Sequence, residues 1–335
     1  MSGVLAHPRA PSTDRLREIQ APVQERLEEV LHEMRRIVTT DVPMVEQVAG
    51  HLLGRRGKMF RPTLTLLASD LDGAREPRAV TLAAVIELMH LATLVHDDSV
   101  DHSATRRGLP TVNSLFSHQV AVIMGDFLYS RALRALVAIR DFDVLRVVTD
   151  VSNELSMGEM RQLAAIETLS FGEREYEVLI RAKTASLLAA ACEAGALCGA
   201  ASYRQALARF GDRLGMAFQV VDDILDYTED ESVTGKPSGN DLREHKVTLP
   251  LIGALPAMTT AQRGLVEALF ADDQPTGEAI DEVVRAVTDA GGIEYARRAS
   301  ERYAQEAEEA LATVPSSPAR AALADALGYV INRRW

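Results

Sequence analysis

The run Ile86-Glu-Leu-Met-His-Leu-Ala-Thr-Leu-Val-His-Asp-Asp-Ser-Val-Asp101 decides how this chain is read. It is an apolar helical stretch that closes on the pattern Asp-Asp-x-x-Asp. The same construction returns in Leu214-Gly-Met-Ala-Phe-Gln-Val-Val-Asp-Asp-Ile-Leu-Asp226. Positions i and i+4 share a helix face, so Asp97 and Asp101 present two carboxylates in one direction, and Asp222 and Asp226 do the same. Like charges at this spacing cost roughly 0.2–0.5 kcal/mol per pair, and the end of a helix already disfavours an anion. A cation should offset both. Hard oxygen ligands one helical turn apart suit Mg²⁺, which takes one or two carboxylates and completes its shell with water and phosphate oxygens. One such cluster reads equally well as a solvated acidic turn; its repetition in the same context favours a site.

The rest of the composition narrows the class. The chain has 335 residues, of which 47% are hydrophobic and only 5% aromatic, so a large helical core rich in Ala and Leu is expected. Its 36 Lys and Arg against 48 Asp and Glu give a formal charge of −12. That excess argues against a nucleic-acid surface and favours cations, or anions bridged by cations, as ligands. No basic-then-apolar signal opens the sequence, and residues 1–13 read as a flexible polar leader. Cys192 and Cys198 match neither a redox nor a zinc spacing and fit as buried apolar fillers, which suits a reducing cytoplasm.

Helical periodicity covers nearly every segment, and period-two alternation is absent. Helices are expected over about 14–38 with Asp14 as N-cap, 43–53, 77–101, 112–139, 142–166, 173–199 and 203–226, with shorter ones to the C-terminus. The stretch Gly54-Arg-Arg-Gly-Lys-Met-Phe-Arg-Pro62 is a basic break, and 229–241 is a polar loop rich in turn residues. The fold expected is all-α: one helical domain over 1–335.

In an acidic chain, cations clustered at breaks need a reason. Lys58 and Arg61 lie in the first break, and Arg106 and Arg107 follow Asp101 by five and six residues. Lys183 precedes Thr184 inside a helix, while Lys236 and Lys246 lie in and after the polar loop. Gln219 shares a face with Asp222, and His90 lies two turns before Asp97. Carboxylates with Mg²⁺ on one side and Arg and Lys on the other make a diphosphate site, because Arg grips phosphate oxygens in pairs and Lys acts as a point charge.

With these residues the sequence resembles the trans-type, head-to-tail isoprenyl diphosphate synthases. The resemblance rests on Gly57-Lys58 with Arg61-Pro62, on His96-Asp-Asp-Ser-Val-Asp101 followed by Arg106-Arg107-Gly108, on Lys183-Thr184, and on Gln219 to Asp226 followed by Gly235-Lys236. It implies a helical bundle around a deep central cavity, usually a homodimer. It implies that Asp97 and Asp101 from one wall and Asp222 from the other hold three Mg²⁺ ions against an allylic diphosphate. Arg106, Lys183, Thr184, Gln219 and Lys236 would help to hold that substrate, with Lys183 among the catalytic residues. Lys58, Arg61, His90 and Arg107 would bind isopentenyl diphosphate. One departure stands out: the family's basic motif commonly reads Gly-Gly-Lys-Arg, whereas Arg56 and Met59 flank Gly57-Lys58 here.

In that family a bulky aromatic four or five positions before the first aspartate stops chain growth early. Those positions hold Ala92 and Thr93, with Met89 deeper, so the resemblance leans toward long-chain polyprenyl synthases that supply quinone side chains. Phe116, Met157 or Met160 are candidates for a floor further down. A geranylgeranyl (C20) or shorter product is the alternative, and a non-catalytic partner subunit of a heteromeric synthase is the alternative from another class. An amphipathic product would bring transient membrane contact.

Overall fold

The computed structural model describes residues 12–54, 57–106, 108–165, 171–228 and 238–332. Of the sequence-predicted features, Arg56, Arg107, residues 229–237 of the polar loop with Lys236, and residues 1–11 of the leader lie outside the described residues. Helix α1 (Ser12–Gln20) already includes the last two residues of the expected leader, and Asp14 sits in its first turn instead of capping it. The single helix expected over 14–38 is broken at Pro22, in a 3₁₀ turn between α1 and α2 (Gln24–Val38). Proline cannot donate to the preceding turn.

After α3 (Pro43–Leu53) comes a helix the periodicity does not mark, α4 (Phe60–Ser69). Every residue from Pro62 to Ser69 is buried, and at 10 residues α4 is shorter than the roughly 11–18-residue window over which helical periodicity is read. Pro62 is tolerated in its first turn, where a missing N–H is no loss. Met59, just before it, holds a left-handed backbone with φ of 51°.

The central helix α5 (Arg78–Val100) packs against α2, α4, α7 (His118–Ala138) and α10 (Ser186–Gly199). It is long and apolar enough to cross a membrane, yet more than half of its apolar window is buried inside the protein. Beyond it, Thr105–Arg106 pairs with Leu109–Pro110 in a short antiparallel ladder. Among the described residues this is the one sheet. The helix expected over 112–139 splits into α6 (Val112–Leu115) and α7, because the Ser117 hydroxyl accepts from the Val120 N–H at 3.2 Å and starts a new helix. Helix α8 (Phe142–Ala165) follows as expected. The stretch expected as one helix over 173–199 is α9 (Glu173–Ile180), a π-helical turn at Arg181–Ala185, and α10.

Helix α11 (Arg204–Thr228) joins two hydrophobic cores. Leu214 belongs to the core of α2, α4, α5, α7 and α10, while Met216, Ala217 and Val220 belong to a second one. That second core is closed by α13 (Leu249–Ala254), α14 (Thr260–Phe270), α15 (Gly277–Asp289) and α16 (Gly292–Ala312), with the short α12 (Asn240–Arg243) leading into it. Helix α17 (Pro318–Ile331) returns to α1 and the first core. Both cysteines are free and buried in α10. Burial pushes both thiols up, that of Cys198 to about 11.

Small residues set the closest approaches. A Cβ at Gly195 would sit 2.3 Å from the Thr65 carbonyl oxygen of α4, and one at Gly215 would sit 2.4 Å from the Ala185 Cα in the π turn. Overpacking of a filled interior costs about 1–3 kcal/mol. Gly215→Val should therefore lower the melting temperature and, by pushing the π turn off α11, disturb Thr184 and Gln219 as well. A melting temperature equal to that of the wild type in a thermal scan would contradict this packing.

Candidate functional site

Two acidic helix ends and one π turn meet where the two cores join. At the end of α5, Asp97 is half-buried and Asp101 caps the helix, its N–H donating to the Asp97 carbonyl oxygen at 2.8 Å. Asp98 turns inward and accepts from Arg106 Nε at 2.7 Å. The short ladder at Thr105–Arg106 thus delivers a guanidinium to the buried middle aspartate.

At the end of α11 the same pattern is used differently. Asp223 is buried and accepts from the Tyr176 hydroxyl at 2.6 Å and from Gln219 Nε2 at 2.8 Å. Burial pushes its carboxyl well above the ordinary carboxylate range and Asp241 adds to this, while the Tyr176 and Gln219 hydrogen bonds work the other way. Asp226 accepts from the backbone N–H groups of Asn240 and Asp241 at 3.2 and 3.0 Å and so caps α12. It does not simply duplicate Asp222 across a helical turn, as the i, i+4 spacing suggests. Asp222 stays half-exposed.

Between the two ends, Lys183 Nζ lies 2.8 Å from Glu159 and also donates to Gln162 on α8. The Thr184 hydroxyl donates to Gln219 Oε1 at 2.8 Å. A π turn displaces side chains from the regular helical rows and recurs at functional sites; here it aims two neighbours, Lys183 and Thr184, at α8 and α11 in turn.

Three cavities open on these groups. One of about 270 Å³ brings together Lys58, Arg61, His90 and Arg106, with Phe218 and Tyr329 in its wall; Lys58 Nζ lies 6.0 Å from the centre of the Tyr329 ring. A second, of about 420 Å³, holds Asp97, Glu159, Lys183 and Thr184 at one part of its lining and Met89, Ala92 and Thr93 at another. Arg61 and His90 line both. The third, of about 240 Å³, holds Lys183, Thr184, Gln219, Asp223, Asp241 and Lys246. Arg106, grouped in the sequence with the allylic diphosphate, lies instead with Lys58 and Arg61. Of the floor candidates, Met157 and Met160 are 45% and 63% exposed, and Phe116 packs on the first core; none lines these cavities.

The sequence reading does not nominate Glu159, Tyr176 or Asp241 and leaves Lys246 without a role. Burial works against the Lys246 ammonium, but Glu244, Asp241 and, from the opposite wall, Asp101 outweigh it and raise its pKa. Their common trait is a contact with an aspartate motif or with a residue bound to one: Glu159 pairs with Lys183, Tyr176 donates to Asp223, the Asp241 N–H donates to Asp226, and the Lys246 N–H donates to the Asp241 carbonyl oxygen. It becomes visible only once α8, α9 and the segment after the polar loop are folded against α11.

Among the described residues no three His, Cys, Asp or Glu side chains gather tightly enough to enclose a metal by themselves. Asp97, Asp101 and Asp222 are oxygen donors on two separate helices. They fit a hard divalent ion that keeps water and takes substrate oxygens for the rest of its shell.

An all-helical fold with carboxylates on facing helix ends, cations in adjoining cavities and an apolar recess defines the class of trans-prenyltransferases. The polyprenyl synthetase family model matches residues 42–287, and the chain belongs to that family. It is 36% identical to the all-trans-nonaprenyl-diphosphate synthase (geranyl-diphosphate specific) of Rhodobacter capsulatus, over 94% of this chain and 97% of that one. The crystal structure of a decaprenyl diphosphate synthase from Rhodobacter capsulatus superposes with a TM-score of 0.89 at 36% identity, covering 97% of this chain and 100% of that one. A polyprenyl synthase from Caulobacter crescentus CB15, complexed with calcium and isoprenyl diphosphate, gives 0.89 at 32% identity over 98% and 100%.

The charge balance at the first motif can be measured without substrate. Burial and then Glu159 push the Asp97 carboxyl from 3.8 to about 6, against Lys183 and Arg106. A folded pKa above the unfolded one means that the ionised form costs stability. This cost is absent below pH ~4, grows through pH 6 and is fully present above it. Carboxyl-resolved NMR of the metal-free protein should show Asp97 titrating near pH 6, and Glu159→Gln should lower that midpoint. An Asp97 midpoint near 4 in the wild type would refute the assignment.

Proposed function

We propose that this protein condenses isopentenyl diphosphate head-to-tail with an allylic prenyl diphosphate and extends it to a long all-trans polyprenyl diphosphate, a quinone side-chain precursor. The observation that carries this reading is the meeting of two cavities at Arg61 and His90: one rich in cations, the other running from Asp97 to Ala92. Two anionic substrates can lie there side by side with their reactive ends together.

Lys58, Arg61, His90 and Arg106 take the diphosphate of isopentenyl diphosphate, and Asp98 keeps the Arg106 guanidinium in place. Lys183, Thr184 and Gln219 face the allylic diphosphate, joined by Lys246; by position in the sequence Lys236 belongs with them and Arg107 with isopentenyl diphosphate. Asp97, Asp101 and Asp222 hold Mg²⁺, three ions in the full site. Bound there, the ions supply Lewis-acid stabilisation of the departing diphosphate. Fixed ammonium and guanidinium groups stabilise the same negative charge where it develops. Holding both substrates in one geometry removes most of the entropic barrier to their union. The proton lost from the new chain can pass to the departing diphosphate, so the protein needs no dedicated base. Met89, Ala92, Leu155 and Leu187 line the recess that receives the growing chain and keep water from the reacting carbons.

The protein acts as one domain and as a homodimer on this reading. Helix α7 exposes Ile123, Leu133 and Val137, and α8 exposes Met157, Met160 and Leu163, an apolar area that a second copy would cover; sedimentation equilibrium reports the mass directly.

With Mg²⁺, isopentenyl diphosphate and a labelled allylic primer, the protein should release pyrophosphate and lengthen the primer. Product chromatography should give chains longer than C20. Asp97→Ala and Asp222→Ala should each cut turnover by roughly 10²–10³-fold while the helical signal in circular dichroism is kept; near-normal turnover in both would remove their assigned role. Ala92→Phe should shorten the product, and an unchanged length would place the floor elsewhere.

A further inference from the structure

Tyr176 is 2% exposed, lies on α9 outside both aspartate motifs and has no place in the chemistry set out above, yet it heads a continuous chain of hydrogen bonds into the site. Its hydroxyl donates to Asp223 Oδ2 at 2.6 Å; Gln219 Nε2 donates to Asp223 Oδ1 at 2.8 Å; and the Thr184 hydroxyl donates to Gln219 Oε1 at 2.8 Å. All three donors point the same way, toward Asp223. The Gln219 amide is held in one orientation: its NH₂ donates to Asp223 and its carbonyl oxygen faces Thr184. Thr184 has one hydroxyl proton, and that proton is committed to Gln219.

We propose that Tyr176 is a positioning residue that acts through Asp223 and Gln219 to present the Thr184 hydroxyl to the cavity as an acceptor only. Thr184 lines both the cavity of Asp97 and that of Asp241 and Lys246. With its proton turned away it offers lone pairs there. Lone pairs repel phosphate oxygens and receive the polarised water of a divalent cation. Thr184 thus serves the metal half of a metal–diphosphate ligand, and Lys183 beside it serves the anionic half. The inference rests on the diphosphate-site reading and sharpens it, because it divides the work between two adjacent residues of one π turn.

Calorimetric titration of the full chain with inorganic pyrophosphate, with and without Mg²⁺, tests this. Tyr176→Phe keeps the ring in its slot and removes only the hydroxyl. It should weaken Mg²⁺-dependent pyrophosphate binding about tenfold, the size of one net hydrogen bond, and leave Mg²⁺-free binding unchanged. It should also raise KM for the allylic diphosphate but not for isopentenyl diphosphate, whose cations line another cavity. Thr184→Val should cause a similar loss, and Tyr176→Phe with Thr184→Val should be no worse than Thr184→Val alone, since both act through one path. The proposal is overturned if Tyr176→Phe binds as the wild type does. It is also overturned if the variant loses Mg²⁺-free binding to the same extent, as a folding defect would, or if the two losses add. A wild-type protein that binds no pyrophosphate in either condition would instead overturn the diphosphate reading itself.

Discussion

Negative charge held at the ends of two facing helices is the constraint from which the rest of this structure follows. A carboxylate at a helix C-terminus opposes the macrodipole, and a second one a turn away adds repulsion. Partial burial removes the water that would have screened both. The fold answers with fixed cations: Arg106 on Asp98, Lys183 between Glu159 and Asp97, and Lys246 facing Asp101. Each lies on a segment whose local geometry departs from a plain helix: a two-residue ladder, a π turn, and the stretch after α12. The irregularities of this bundle are therefore concentrated where charge has to be met.

The two motifs look identical in sequence and are not identical in use. In both, the middle aspartate is buried and holds a neighbour in place, Arg106 in one case and Tyr176 with Gln219 in the other. The third aspartates diverge. Asp101 stays exposed at its helix end, whereas Asp226 is occupied by the backbone of Asn240 and Asp241. By capping α12, Asp226 fixes where the chain re-enters the site and so places Asp241 and Lys246 opposite the first motif. The asymmetry leaves Asp97 in the lining of a cavity with Asp101 exposed beside it, and Asp222 half-exposed on the facing helix; neither Asp101 nor Asp222 lines the three cavities.

Much of this was legible in the sequence, and the parts that were not share a cause. The amphipathic helices and both aspartate motifs leave periodic signals that read through directly. Helix α4 is harder to read, because its 10 residues follow directly on the basic break and fall short of the roughly 11–18-residue window that sets a period. Pro22 and Ser117 break helices whose apolar spacing continues across the break. Glu159, Tyr176 and Asp241 are invisible for another reason: their importance lies in partners 15 to 62 positions away, from Asp226 for Asp241 to Asp97 for Glu159, and no local pattern encodes a pairing of that kind. Arg106 stands out in the sequence as one of a pair of cations after the first motif, but the cavity it lines depends on how the Thr105–Pro110 ladder folds back over α5.

The small residues give the site its depth. Gly195 and Gly215 let α4 and the π turn approach α10 and α11 to distances that any Cβ would forbid. A turn packed that closely cannot shift without disturbing α11, so Lys183 and Thr184 are held by backbone contact as well as by their hydrogen bonds. On the opposite side Ala92 and Thr93 spare the room that a large side chain would fill, and the recess below Asp97 stays open past them. Close packing behind Lys183 and Thr184 and open space beneath Asp97 suit one end. For the proposed reaction, that arrangement would hold the reacting head rigidly and leave the growing tail room to advance.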